Sequence, residues 1–339
     1  MRPLVLQLAP TNACNLQCRH CYRTEGGRFA SEWTLSTQAS LIEAWVAFAS
    51  RLERPPVVVL TGGEPLLARD LGDLVHVAVR AGAGVRINTS GVLATRERIE
   101  RLAVRGLRHV QVSLEAPEAE AHDAVRGQGA FVRAARGVSV MRQAGLEVWL
   151  KVTVGASSLA SPEKWRALAG AWDVQGVAFA RVLPLGRWPL RSDEAERPGD
   201  LPDASWHEAL LAQDNPDGVR LVWRDAPFAH RAARVEGHEW RSEEGRDLLA
   251  VDADGTWLVS RRLPLVLGKT SSMGPREAWN HPWMRDLRAW RPEQVCQTCA
   301  FVAGCQGGSR AMAMARLGDW RLRDPDCTRP VIAEVGRLA

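Results

Sequence analysis

The sequence predicts an α/β fold: a partial (β/α)6 TIM-like barrel followed by a small α+β domain. Three observations carry that expectation. Apolar strand-like runs alternate with helical patterns through residue 185 or so, and the polar residues of successive runs share one face. Beyond residue 248, a turn-flanked hairpin precedes a short segment that holds four of the seven cysteines.

The strand-like runs are Leu4 to Leu8, Val57 to Leu60, Val85 to Asn88, His109 to Leu114, Val148 to Val154 and Val177 to Val182. Between them, helical patterns occupy Thr37 to Arg51, Leu71 to Ala81, Thr95 to Arg105, Phe131 to Ala144 and Pro162 to Ala171. Such alternation implies a parallel sheet with right-handed crossovers. An open sheet covered by helices on both sides needs strands that are apolar throughout. These alternate instead. Gln111, Ser113 and Glu115 share one face of the fourth strand; Trp149, Lys151 and Thr153 do so on the fifth, Arg86 and Asn88 on the third, and Phe179 with Arg181 on the sixth. A single polar face on successive parallel strands predicts a curled sheet whose lumen holds a polar ligand.

The 339 residues exceed an average domain and divide as 1–185 for the barrel, 186–247 for a Pro-, Gly- and charge-rich bridge, and 248–339 for the C-terminal domain. In the last, Leu248 to Val251 and Thr256 to Ser260 flank Asp254-Gly255, a hairpin turn pair. A helix around Arg276 to Trp290 and a shorter one at Ser309 to Leu317 follow. No apolar run approaches the roughly 20 residues of a membrane span, and cytoplasmic residence is the default expectation. The net charge of +5 comes from 44 basic residues of which all but Lys151, Lys164 and Lys269 are Arg. That skew runs through the whole chain, and the Arg residues alternate with acids, so neither a nucleic-acid nor a membrane partner is expected.

An odd cysteine count argues for metal or redox chemistry rather than a disulfide framework. Cys14-x3-Cys18-x2-Cys21 falls in the loop leaving the first strand, where barrel enzymes place active-site groups. Structural zinc takes four ligands, usually as two C-x2-C pairs. Three thiolates in eight residues suit a cubane cluster with one iron left for another ligand, zinc remaining the alternative.

With Thr61-Gly62-Gly63-Glu64-Pro65 after the second strand, this loop resembles the radical S-adenosylmethionine superfamily. The resemblance implies a [4Fe–4S] cluster on Cys14, Cys18 and Cys21 that reductively cleaves S-adenosylmethionine to a 5′-deoxyadenosyl radical, which abstracts hydrogen from a substrate. It assigns Gly62, Gly63 and Glu64 to the methionine amino group, and His20 to the position of the aromatic residue near the adenine. Ser113-Leu114-Glu115-Ala116 and His122-Asp123-Ala124-Val125-Arg126-Gly127 match segments whose Ser and Arg, here Ser113 and Arg126, contact the ribose and the methionine carboxylate. Asn88 to Gly91, with Ser90, resembles a further wall of that pocket. Candidates for the substrate pocket on the polar face are Glu115, Trp149, Lys151, Phe179 and Arg181. An external electron donor such as flavodoxin or ferredoxin is also implied.

Cys296-x2-Cys299-x5-Cys305…Cys327, with Gln306 to Ala311 and Asp324-Pro325-Asp326-Cys327, resembles the end of a SPASM domain. Two-cluster members carry cysteine near Ser260 and at Ser309, so the resemblance implies a shortened, Twitch-like domain with one auxiliary [4Fe–4S] cluster, making two clusters in all. A four-cysteine zinc site is the alternative. The expected function is oxidative modification of a peptide or protein, as in maturases of ribosomally made peptides. With little sequence before Cys14, such a substrate is expected to need a separate leader-recognition protein or a very short recognition element. Alternatives are dehydrogenation or decarboxylation of a small-molecule natural product, sugar, nucleoside or porphyrin-type substrate, and, in another class, a non-catalytic metal-binding protein. The two motifs use all seven cysteines, leaving no thiol to return hydrogen to a substrate radical, which favours oxidation over epimerisation.

Overall fold

The computed structural model describes residues 2–23, 33–155, 160–187, 206, 218–223, 243–299 and 302–327. Its strands form one ten-stranded sheet in the order β10-β9-β8-β1-β2-β3-β4-β5-β6-β7. The first six are β1 (Leu4–Thr11), β2 (Pro56–Gly62), β3 (Gly84–Thr89), β4 (His109–Leu114), β5 (Glu147–Val154) and β6 (Gly176–Arg181). They pair in sequence order and all in parallel. Helices α1 (Leu35–Arg51), α2 (Leu71–Arg80), α3 (Arg96–Val104), α4 (Ala119–Arg126), α5 (Ala130–Gln143) and α6 (Pro162–Ala171) fill the crossovers. No helix is long and apolar enough to cross a membrane, among the described residues.

The strands bury one face against the helices. On β5, Val148, Leu150, Val152 and Val154 are buried while Glu147, Trp149, Lys151 and Thr153 are half-exposed. Leu150 and Val152 lie in the same core as Trp45 of α1 and Trp165 of α6, none of them measurably exposed. Caps fix where helices begin: the Thr34 hydroxyl accepts from Thr37 N ahead of α1, and the Thr95 hydroxyl from Arg98 N ahead of α3.

The ends of the sheet differ from the sequence expectation. A seventh parallel strand, β7 (Arg220–Trp223), extends the sheet beyond β6, inside the segment expected to be an irregular bridge. The hairpin of β8 (Leu248–Val251) and β9 (Thr256–Leu258) forms about Asp254-Gly255 as expected, but β8 pairs in parallel with β1. The C-terminal segment therefore begins as a continuation of the barrel sheet, and β10 (Val266–Lys269) completes its antiparallel edge. The helix expected around Arg276 to Trp290 is two helices, α7 (Pro275–Trp279) and α8 (Pro282–Ala289), because Pro282 cannot continue α7. Three short helices follow, α9 (Gln294–Gln297), α10 (Val302–Cys305) and α11 (Arg310–Leu317).

Candidate active site and metal centres

Backbone hydrogen bonds tie the loop after β1 to the segment after β2. Gly63 N donates to Thr11 O at 3.0 Å and Glu64 N to Ala13 O at 2.8 Å. A Cβ on Gly63 would lie 2.1 Å from Ala13 O, and one on Gly62, whose φ is +119°, 2.3 Å from Thr11 O. The two glycines thus serve a close approach of the chain to itself, at the base of the cysteine loop.

The Glu64 carboxylate is 2% exposed. Oε1 accepts from Thr89 Oγ1 at 2.5 Å and Leu66 N at 3.1 Å, and Oε2 from Ser90 N at 2.9 Å and Ser90 Oγ at 2.6 Å. Glu64 and Ser90 therefore fix the end of β3 to the turn after β2. Asn88 and Ser113, on adjoining β3 and β4, are half-buried and form no side-chain hydrogen bond among the described residues.

Cys14 is exposed, and Cys18 and Cys21 are partly so. Burial raises the Cys14 and Cys18 thiols, while Arg126 works against that rise in both. Beside them lies an ion triad: Arg126 Nε donates to Glu115 Oε1 at 2.7 Å, and His20 Nε2 lies 2.9 Å from Glu115 Oε2. Burial alone would raise the Glu115 carboxyl, but Arg126 and His20 outweigh it and bring its pKa to about 2. Arg19 N, donating to Val125 O at 3.0 Å, adds a backbone tie from the cysteine loop to α4.

The residues of the His122 to Gly127 segment divide the work. His122 Nδ1 accepts from Glu115 N at 3.2 Å; Asp123 accepts from Gly129 N at 2.6 Å and Phe131 N at 2.8 Å, capping α5; Arg126 holds Glu115. Gly127 closes α4 with φ +105°. Glu115, a pocket candidate by sequence, is thereby tied up between the cysteine loop and α4 and is not a free wall of the lumen.

Register settles the other pocket candidates. Lys151 lies beside Ala178 and Ser113, and Trp149 beside Gly176 and Gln111, so these residues share the lumen face. The alternation predicts Phe179 and Arg181 on that face too, yet Phe179 pairs with Val152 and Arg181 with Val154, on the opposite side. Phe179 is fully buried against Trp165, Trp206 and Trp223. Arg181 donates from Nη1 to Asp324 Oδ1 at 2.9 Å and Asp326 Oδ2 at 2.6 Å, and from Nη2 to Asp324 Oδ2 at 2.7 Å. Neither lines the lumen. On β6 the lumen face consists of Gly176, Ala178 and Ala180. Low on that face, Trp149 donates to Glu147 Oε1 at 2.9 Å, and Arg220 stands 5.7 Å from its ring.

The second cysteine set is more enclosed. Cys296 and Cys305 are buried, Cys299 and Cys327 half-buried. Burial pushes the Cys305 thiol up to about 12, with Cys327, Asp324 and Cys296 adding to the rise; burial and then Cys327 raise Cys296. Among the described residues no three Cys, His, Asp or Glu side chains converge tightly enough to hold a single ion. Within each set the thiols act on one another, Cys21 on Cys14 and Cys18, and Cys327 on Cys296 and Cys305, and cysteine thiolates are the ligands an iron–sulfur cluster takes.

Three anchors around these sets were not anticipated. Arg310 donates to the carbonyls of Gly307, Gly308, Trp320 and Leu322 and stacks 3.8 Å from the Trp290 ring; burial lowers its pKa to about 10. Asp324 accepts from Ser309 N, and Gly308, at φ +85°, leaves room for it. Arg261 Nε donates to Tyr22 Oη at 3.2 Å, joining the segment after β9 to the first cysteine loop. Gly307-Gly308 and Asp324-Pro325-Asp326-Cys327 were the available signals for the first two.

Residues 8–157 match the model of the radical SAM superfamily. An AdoMet-dependent heme synthase of Nitratidesulfovibrio vulgaris is 31% identical over 94% of this chain and 90% of its own. The mycofactocin maturase MftC of Mycolicibacterium smegmatis is 28% identical over 96% of this chain and 82% of its own. Among solved structures, native anSMEcpe with bound AdoMet superposes with a TM-score of 0.77 at 17% identity, covering 96% of this chain and 94% of that one, a likeness of fold.

Proposed function

This chain belongs to the radical S-adenosylmethionine superfamily, and we propose that it oxidises a carboxylate-bearing substrate lying against the lumen face of the barrel. When bound, S-adenosylmethionine on a cluster held by Cys14, Cys18 and Cys21 supplies a radical that removes hydrogen, and a cluster held by Cys296, Cys299, Cys305 and Cys327 supplies an electron acceptor. The chain's own residues orient and enclose. Asn88 and Ser113 offer polar groups that form no side-chain hydrogen bond among the described residues, while His20 within the cysteine loop and Arg126 beside it flank Glu115. Gly62, Gly63, Glu64 and Ser90 shape that side of the pocket through the backbone contacts given above.

The observation that carries oxidation is the placement of the thiols: all seven cysteines fall into the two sets, so none stands apart on the lumen face to return a hydrogen atom. The substrate class is supported by the likeness to the heme synthase, which extends over 94% of this chain. A tetrapyrrole carrying carboxylate side chains accords with that relative. The second reading, a peptide oxidised with the help of a separate leader-recognition protein, is favoured by the similarity to the maturase across 96% of this chain. Either requires an external one-electron donor of the flavodoxin or ferredoxin kind.

The test is to incubate reconstituted, reduced protein with S-adenosylmethionine in deuterium oxide, offering either an iron porphyrin with propionate side chains or an acidic peptide. Stimulated 5′-deoxyadenosine formation with the porphyrin, and a product lacking two hydrogens or a carboxyl group, is expected. Stimulation by the peptide alone moves the substrate to the second reading. An isobaric product bearing one solvent deuterium at carbon would overturn oxidation itself.

A further inference from the structure

We infer that Arg181 is a positioning residue for the C-terminal cysteine set, fixing Cys327 relative to the barrel and biasing the reduction potential of a cluster held there. This rests on the proposal that those four cysteines hold such a cluster. Arg181 is the last residue of β6, and its side chain leaves the barrel on the face opposite the lumen. Its guanidinium is 1% exposed and meets two carboxylates that are as fully enclosed, Asp324 and Asp326.

Asp324 is where the cysteine-bearing segments meet. Its carboxylate accepts from Ser309 N at 2.8 Å, four residues after Cys305, and from Asp326 N at 3.1 Å. Its carbonyl accepts from Cys327 N at 3.1 Å, and its own N donates to Gly307 O at 3.0 Å. Asp326, covalently next to Cys327, is shared between Arg181 and Arg316. One guanidinium from the barrel therefore holds the two carboxylates that frame Cys305 and Cys327. A buried ion pair contributes little net stability over apolar residues of the same volume, so placement is what this arrangement supplies. A bidentate fork defines direction as well as distance, which an ammonium in its place would not.

The electrostatic consequence is signed. Without Arg181, two carboxylates beside the cysteines disfavour addition of an electron; without the Asp326 charge, addition becomes easier. Midpoint potentials of the reconstituted holoenzyme, followed by electron paramagnetic resonance, should fall for the C-terminal cluster in Arg181→Met and rise in Asp326→Asn. The first cluster should be unmoved in both. Arg181→Lys should restore the potential in part and leave a broadened signal, since the charge returns and the fork does not. Should Arg181→Met fail to fold, the opposite shift in Asp326→Asn and the partial effect of Arg181→Lys still decide the matter. Unshifted potentials in the folded variants would overturn the inference alone. A wild-type protein with a single redox-active cluster, its C-terminal cysteines filled by zinc, would overturn the inference together with the reading beneath it.

Discussion

The two cysteine sets are anchored by the same device and differ in what surrounds it. At the first, Glu115 is held by Arg126 and His20; at the second, Asp324 and Asp326 are held by Arg181. At the first, the His20–Glu115 contact joins the cysteine loop to the barrel and Arg126 shares the carboxylate; at the second, Arg181 itself joins the barrel to the cysteine-bearing segment. Yet Cys14 stands exposed on a loop, whereas Cys296 and Cys305 are buried and the Cys305 thiol is driven to about 12. A site that must admit a cofactor to one metal position keeps an accessible side, and a site whose ligands are all protein closes over them. Under the proposed function, the difference separates a reacting centre from an enclosed one.

The strongest way to break the comparison is to remove one thiol from each set. Cys18→Ala should reduce cofactor cleavage to background, while apo-protein stability changes by about 0.5 kcal/mol or less, because the thiol is half-exposed and lies outside the core. Cys305→Ala should leave cofactor cleavage measurable and lower iron from about eight to about four per chain, with product formation stalled. Loss of cleavage in both variants would show that the sets do not play separate roles. Iron analysis and 5′-deoxyadenosine yield, measured on the same preparations, decide it.

A smaller effect sharpens the anchoring half of the comparison. Glu115→Gln leaves Arg126 buried without its counter-charge, and breaking such a pair from one side costs about 3–5 kcal/mol. Urea unfolding of the apo protein should report a loss of that order. An exposed pair such as Arg96–Glu100 gives the contrast: Glu100→Gln should cost about 0.5 kcal/mol or less. Equal midpoints for the two variants would mean that the triad does not hold the loop.

How much of this was legible in the sequence follows from which constraints are local. On β4 and β5, one face meets helices and the other does not, so polarity alternates and the strands can be read directly. On β6 all six residues are buried, and alternation no longer tells the faces apart; Phe179 and Arg181 were misplaced for that reason. The α4 helix is short and has one buried residue, His122, leaving its sequence without an apolar stripe. The parallel pairing of β8 with β1 joins segments far apart in the chain, and nothing in either predicts the partner. In the site, the cysteines were legible because liganding restricts residue type. The carboxylate of Glu64 was equally visible, but what it binds, Thr89 and Ser90, depends on how β3 ends beside β2. Sequence shows that a charge is present; the fold decides which neighbour receives it.

The mildest perturbation is a change of pH, and it acts on the neutral member of the first anchor. His122 is 1% exposed, and burial, reinforced by the nearby Arg126 charge, lowers its pKa to about 4. Its Nδ1 accepts from Glu115 N, a role that only the neutral imidazole can fill. An unfolded chain protonates this histidine near pH 6.5, the folded chain near 4, so the unfolded state binds more protons between those values. The associated stability is complete above pH 6.5 and is lost as pH falls toward 4. Between pH 7 and pH 5 the loss should be about 2 kcal/mol, read as a drop in the urea midpoint of the apo protein. His122→Asn removes the titrating group, so its midpoint should be lower at pH 7 and vary less across that window than in the wild type. The second anchor, Arg181 with Asp324 and Asp326, contains no histidine, and the Arg181→Lys variant should keep the full pH dependence. If His122→Asn retains the wild-type slope, the acid sensitivity originates elsewhere and His122 is not the neutral support of the Glu115 backbone.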